Sequence, residues 1–182
     1  MSNKFFAVAV MSMSVVMGMS TAQANNDGTV NFTGEIIGTA CTVDIGANNT
    51  MNVDLGKVSK TVFTGTGTYA SATEFDLKVK DCPATGINGI TVKFDGTAYA
   101  GDNSVLALTE EDGVATGIAI ELIELLDKSK NAVPLFADSD SYALEAGKTE
   151  LTMPMYARYK QVAAAVTAGP ANSSVQFTLN YN

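Results

Sequence analysis

Histidine is absent from all 182 residues of the chain, and cysteine occurs only twice. Without imidazole there is no histidine-dependent nucleophile and no histidine-ligated metal. Basic residues are scarce as well: 11 Lys and Arg stand against 19 Asp and Glu, a formal net charge of −8. So acidic a surface argues against nucleic acid or an anionic membrane as partner. After the first apolar run near the start, no second segment is long enough to span a bilayer, and no stretch forms a convincing long amphipathic helix.

That first run has the parts of a secretory signal. Asn3-Lys4 is a short basic start, Phe5 to Met19 is mostly apolar, and Ala22-Gln23-Ala24 is a small-x-small cleavage site. The apolar run falls short of the ~20 residues of a comfortable spanning helix; an uncleaved anchor is the other reading. Residues 1–24 are expected to be removed, leaving an exported chain from Asn25 of a size natural for one domain. In an exported chain an even cysteine count points to one disulfide, Cys41 to Cys82. Closing that segment stabilises by ~4 kcal/mol in the chain-entropy treatment. A reactive pair is the alternative, but there is no Cys-x-x-Cys and no histidine to activate a thiolate.

What the chain does have is alternation. Val175, Phe177, Leu179 and Tyr181 interleave with Gln176, Thr178 and Asn180, the period-two signature of a strand with one buried face. No later residue follows to form a neighbouring strand, so this one is either an edge or is covered from elsewhere. Gly28, Val30, Phe32, Gly34 and Ile36 alternate in the same way at the other end. Periodicity alone leaves open whether 28–36 is an ordinary first strand. It also leaves open whether the loop Lys160 to Pro170 covers the last one.

Between them, short apolar alternations centred on Cys41–Ile45, Met51–Leu55, Phe75–Val79, Ile90–Phe94 and Leu151–Tyr159 are separated by turn residues. Ile118 to Leu126 suits either a strand or a helix face, and its context favours a strand with a bulge near Leu122-Ile123. Pro154 marks an edge or bulge. The pattern is that of an all-β antiparallel sandwich.

Candidate chemistry is thin. Glu121 with Glu124, or Glu110-Glu111-Asp112, supplies paired carboxylates, but nothing sets one apart from another and solvated charge is the expectation. Asp138-Ser139-Asp140-Ser141 lacks the glycine and distal glutamate of a calcium loop. No metal, cofactor or catalytic residue is assigned.

Gly38-Thr39-Ala40-Cys41-Thr42-Val43, Lys80-Asp81-Cys82 and Pro154-Met155-Tyr156-Ala157-Arg158-Tyr159 carry a resemblance, together with Gly169 fourteenth from the end and Tyr181 penultimate. On these residues the chain resembles a major pilin of the chaperone–usher (type 1 fimbrial) family over its whole length. The resemblance implies an incomplete immunoglobulin-like antiparallel β-sandwich lacking its last strand and completed by donor-strand exchange. It implies a donor extension over 25–37 and a pilin domain over 38–182. Gly28, Val30, Phe32, Gly34 and Ile36 are then the donor face, and Val175, Phe177, Leu179 and Tyr181 the acceptor groove. Gly169 and Tyr181 form the terminal signature, and the carboxylate of Asn182 anchors the chaperone. The implied partners are identical or related pilin subunits, a periplasmic chaperone, an outer-membrane usher and a tip adaptor or adhesin, in a cell-surface fimbria of a Gram-negative bacterium. The alternatives are a minor adaptor, a single-domain fimbrial adhesin, or a monomeric exported β-sandwich enzyme.

Overall fold

The computed structural model describes residues 29–34, 36, 40–126 and 128–182. The expected signal, residues 1–24, and Gly28 of the donor face lie outside the described residues. The chain divides into two units, Met1–Ile36 and Ile37–Asn182. In the first, the described residues adopt no regular secondary structure, and Val30, Phe32 and Ile36 are exposed.

The described residues of the second unit form ten strands: β1 (Thr42–Val43), β2 (Thr73–Lys80), β3 (Gly89–Asp95), β4 (Ala98–Tyr99), β5 (Asp102–Leu106), β6 (Ile118–Leu126), β7 (Ser129–Ala132), β8 (Tyr142–Ala143), β9 (Leu151–Gln161) and β10 (Gln176–Tyr181). Every named pairing is antiparallel. One sheet runs β1-β2-β9-β6-β5-β4, with β7 also on β6, and the other runs β10-β3-β8. Alternate residues of the two sheets meet in one core. Leu77 and Val79 of β2, Ile120 and Leu122 of β6 and Met153 and Met155 of β9 face Ile90, Val92 and Phe94 of β3 in it. The expected all-β sandwich is what forms. Cys41 and Cys82 are joined as a disulfide, which ties the entry of β1 to the residues just after β2.

Three local expectations change. β6 carries no bulge: it pairs with β9 in unbroken register from Ile118↔Gln161 to Glu124↔Met155. Its ambiguous sequence reflects burial of both faces. Ile118, Ile120 and Leu122 belong to the core cluster, while Ala119, Glu121 and Ile123 on the opposite face are buried outside it. Second, Pro154 lies within β9, which sits between β2 and β6. It is tolerated because the β6 ladder ends one residue away, at Met155, leaving only β2 opposite Pro154. Third, Met51, Val53 and Leu55 alternate in burial with Asn52 and Asp54, as a strand would, but no ladder forms there.

Of the paired carboxylates, Glu110, Glu111 and Asp112 are exposed as expected, whereas Glu121 and Glu124 are buried. Glu121 is 4% exposed and accepts from Arg158 Nε at 2.8 Å and Lys160 Nζ at 2.8 Å. The Arg158 guanidinium lies 3.6 Å from the centre of the Tyr69 ring. Glu124, 3% exposed, accepts the Asp140 N–H at 2.9 Å. Asp138 accepts from Asn180 Nδ2 at 2.6 Å, and Ser139 Oγ accepts from the Val92 N–H at 2.9 Å, so the Asp138–Ser141 segment is a structural clasp. Among the described residues no group of three or more potential metal ligands occurs.

Candidate strand-acceptor groove

The missing ladder at Met51–Leu55 and the bare side of β10 belong to one feature. β10 pairs with β3 from Gln176↔Asp95 to Tyr181↔Ile90, and among the described residues no strand pairs its other side. β1 likewise pairs only with β2. Between these two edges the sandwich is open. The opening is a groove of about 820 Å³. One wall holds Val43, Ile45, Met51, Val53 and Leu55, and the other Val175, Phe177, Leu179 and Tyr181. Phe75, Leu77, Phe94, Ile120 and Leu122 form its floor. All four residues that alternation singled out, Val175 just before β10 and Phe177, Leu179 and Tyr181 within it, therefore line one groove. They are only half-buried although they pack against the core, because none of the described residues covers them from the groove side.

A second groove of about 690 Å³ continues the first, sharing Met51, Asn52, Val53, Leu55, Ile120 and Ser173 with it. Leu55, Phe63, Ile118, Tyr159, Val166 and Pro170 supply its apolar surface. Gly169 lies on this groove, and its place follows from close approach. A Cβ there would collide with the carbonyl oxygen of Gly113 and the amide nitrogen of Ala115. That proximity lets the Ala115 N–H donate to Pro170 O at 2.8 Å and the Thr109 N–H to Asn172 O at 2.8 Å, which holds the approach to β10 in place.

The other end is fixed by Tyr181 and Asn182. Burial pushes the Tyr181 phenol above its usual range, and a hydrogen bond to the Cys41 backbone partly offsets this. Asn182 extends the β10–β3 ladder: its N–H donates to Gly89 O at 3.0 Å, and its O accepts from the Asn88 N–H at 2.6 Å. Its side chain meets Ser141 Oγ at 3.2–3.3 Å.

Of the residues expected to form the donor face, Val30, Phe32 and Ile36 are 76%, 92% and 97% exposed, and a Cβ on Gly34 would meet nothing within 4 Å. The wall at Met51–Leu55 and the pocket around Phe63 were not anticipated as site residues. The alternation of Met51, Val53 and Leu55 was the available signal.

The family described as fimbrial protein matches residues 30–182. A probable major fimbrial subunit, LpfA, of Escherichia coli O157:H7 is 33% identical over 173 residues, covering 95% of this chain and 94% of that one. The type-1 fimbrial protein A chain of Escherichia coli K12 is 33% identical over 176 residues, covering 96% and 94%. A subunit from a solved chaperone–usher pilus superposes with a TM-score of 0.64 over 90% of this chain and all of its own, at 22% identity, a likeness of fold. With its open-sided immunoglobulin-like sandwich and these relatives, the chain belongs to the fimbrial protein family.

Proposed function

We propose that this fimbrial subunit polymerises by inserting residues 25–37 into the groove of a neighbouring copy, completing the neighbour's sandwich. The observation that carries the reading is the two-sided vacancy: β10 and the Met51–Leu55 wall both present unpaired, apolar-facing backbone across one groove. Strand addition satisfies such edges through main-chain hydrogen bonds, with alternate side chains in pockets giving specificity. Gly28, Val30, Phe32, Gly34 and Ile36 have the matching period, and three of them are exposed apolar side chains. Nothing around Gly34 in its own chain requires a glycine; a shallow place in a neighbour's groove does.

Before assembly the same groove takes a strand from a periplasmic chaperone, with Asn182 at the end of β10 as the anchor for the chaperone's basic groups. An outer-membrane usher then exchanges that strand for a subunit's donor segment, and the fibre ends in a tip adaptor or adhesin on the cell surface. The role is structural, with no catalytic step.

The test is Phe32→Asp. An unpaired charge in an apolar pocket is strongly disfavoured. As a donor residue, Phe32→Asp leaves the soluble chaperone complex at normal yield and abolishes detergent-resistant fibres. Loss of the chaperone complex itself would place Phe32 in the subunit's own core and overturn the reading.

A further inference from the structure

The second groove is edged by two ammonium groups that have no carboxylate partner among the described residues. Lys57 and Lys60 both line it and are exposed, and neither is found in an ion pair. Asp54, the carboxylate on the same wall, accepts the Gly56 N–H at 2.8 Å and offsets one of the two charges, leaving a net positive rim. This end of the groove is therefore cationic at its rim and apolar at its floor, in a protein that is acidic overall.

The donor segment has a matching arrangement. The donor segment carries two carboxylates, Asp27 just before the alternating run and Glu35, the only charged residue between Gly28 and Ile36. Period two sets Glu35 on the face opposite Gly34 and Ile36, so when those enter the groove the carboxylate points to its rim. Direction decides which rim. A strand laid antiparallel to β10, the slightly more stable pairing, runs from the Tyr181 end toward the Gly169 end. The last residue of its inward face, Ile36, then reaches the second groove, and Glu35 arrives beside the lysines. Inserted the other way, Glu35 would meet the Val43–Ile45 end, where the cation Lys80 is already paired with Asp44 at 3.3 Å.

We propose that Lys57 and Lys60 form a cationic clamp that recognises Glu35 of the incoming subunit and selects the register of its donor segment. This rests on the donor-strand reading above and adds to it a charge-based specificity determinant. Because the groups are solvent-exposed, the clamp acts chiefly on the rate of encounter, and salt screens it.

The experiment follows displacement of chaperone from the purified subunit–chaperone complex by synthetic peptides of residues 25–37, at low and high ionic strength. Glu35→Lys is expected to slow exchange by roughly three- to tenfold at ~10 mM salt, with the difference vanishing near 1 M, where screening is almost complete. An acceptor carrying Lys57→Glu and Lys60→Glu should slow the natural peptide and restore the Glu35→Lys peptide. Equal high-salt rates for the natural and altered acceptors show that the groove itself is intact. Phe32→Asp in the same peptide separates the two claims. If Phe32→Asp abolishes exchange while Glu35→Lys exchanges like the natural peptide at every salt, the clamp is wrong and donor exchange stands. If Phe32→Asp exchanges normally, both fall. A Glu35→Lys deficit that the swapped acceptor fails to restore also overturns the clamp, since the lysines would not be its partner.

Discussion

The Tyr159 hydroxyl donates to the carbonyl oxygen of Ala171 at 2.9 Å, linking β9 to the segment that leads into β10. Burial raises the phenol's pKa above its usual range, so the donor stays protonated through neutral pH. The same ring lines the second groove.

Tyr159→Phe keeps the ring and removes the donor, leaving Ala171 O without its side-chain partner. The expected loss is about 0.5–1.5 kcal/mol. Urea unfolding of the donor-complemented subunit measures it. An unchanged midpoint would mean that the 166–173 segment is held by its other bonds to 107–116 without help from Tyr159.

Glu121 is the buried centre of a triad with Arg158 and Lys160, whose side chains are 28% and 22% exposed. Glu121→Ala removes the anion and leaves two cations on a covered face. Breaking a fully buried pair costs about 3–5 kcal/mol, and the partial exposure of both cations places this variant below that range. Replacing all three residues by apolar ones of similar volume should recover most of the loss. Comparing urea midpoints of the single and triple variants checks this, and a triple variant no better than Glu121→Ala would show that the triad contributes more than charge neutralisation.

How far the sequence reveals this structure can be traced through particular residues. The β10 alternation identified one wall of the groove because each half-buried residue there is apolar and each exposed one polar. Met51, Val53 and Leu55 gave an equally regular signal, yet a ladder needs a partner, and periodicity in one chain cannot supply it. Ile118–Leu126 was ambiguous because amphipathic patterns assume one wet face. Here Arg158 and Lys160 cover the second face, converting Glu121 from an apparent surface charge into a buried one. Gly169 was legible only through family resemblance, since the contact that demands glycine lies on Gly113 and Ala115, more than fifty residues earlier in the chain.

Burial raises the carboxyl pKa of Glu124 above its ordinary value near 4.5, with the neighbouring Asp140 carboxylate adding to the effect. In the folded state Glu124 therefore holds its proton to higher pH than in the unfolded chain. Its contribution to stability is complete below the unfolded pKa and declines as pH rises through the folded one. Glu124→Gln keeps an oxygen to accept the Asp140 N–H but does not titrate. The stability difference, variant minus natural, should thus increase as pH rises upward from about 4.5. Chemical denaturation at a series of pH values tests this, and a difference that falls with pH would reverse the assignment.

Gly169 is not in the left-handed backbone region, so substitution there acts through space alone. A methyl group would press on Gly113 O and Ala115 N, and relief requires the 166–173 segment to move outward. That segment forms one wall of the second groove, the proposed seat of Ile36. Overpacking of this kind costs about 1–3 kcal/mol, and here much of it should appear as lost donor affinity. A double-mutant cycle isolates the effect. Gly169→Ala should weaken the natural donor peptide by roughly 5- to 150-fold, the range that 1–3 kcal/mol spans. A donor carrying Ile36→Gly no longer fills the second groove, so Gly169→Ala should weaken it far less. Peptide affinities from competition against a labelled donor supply the four numbers. Equal losses for both donors would show that Gly169 supports β10 as a whole rather than the pocket for Ile36.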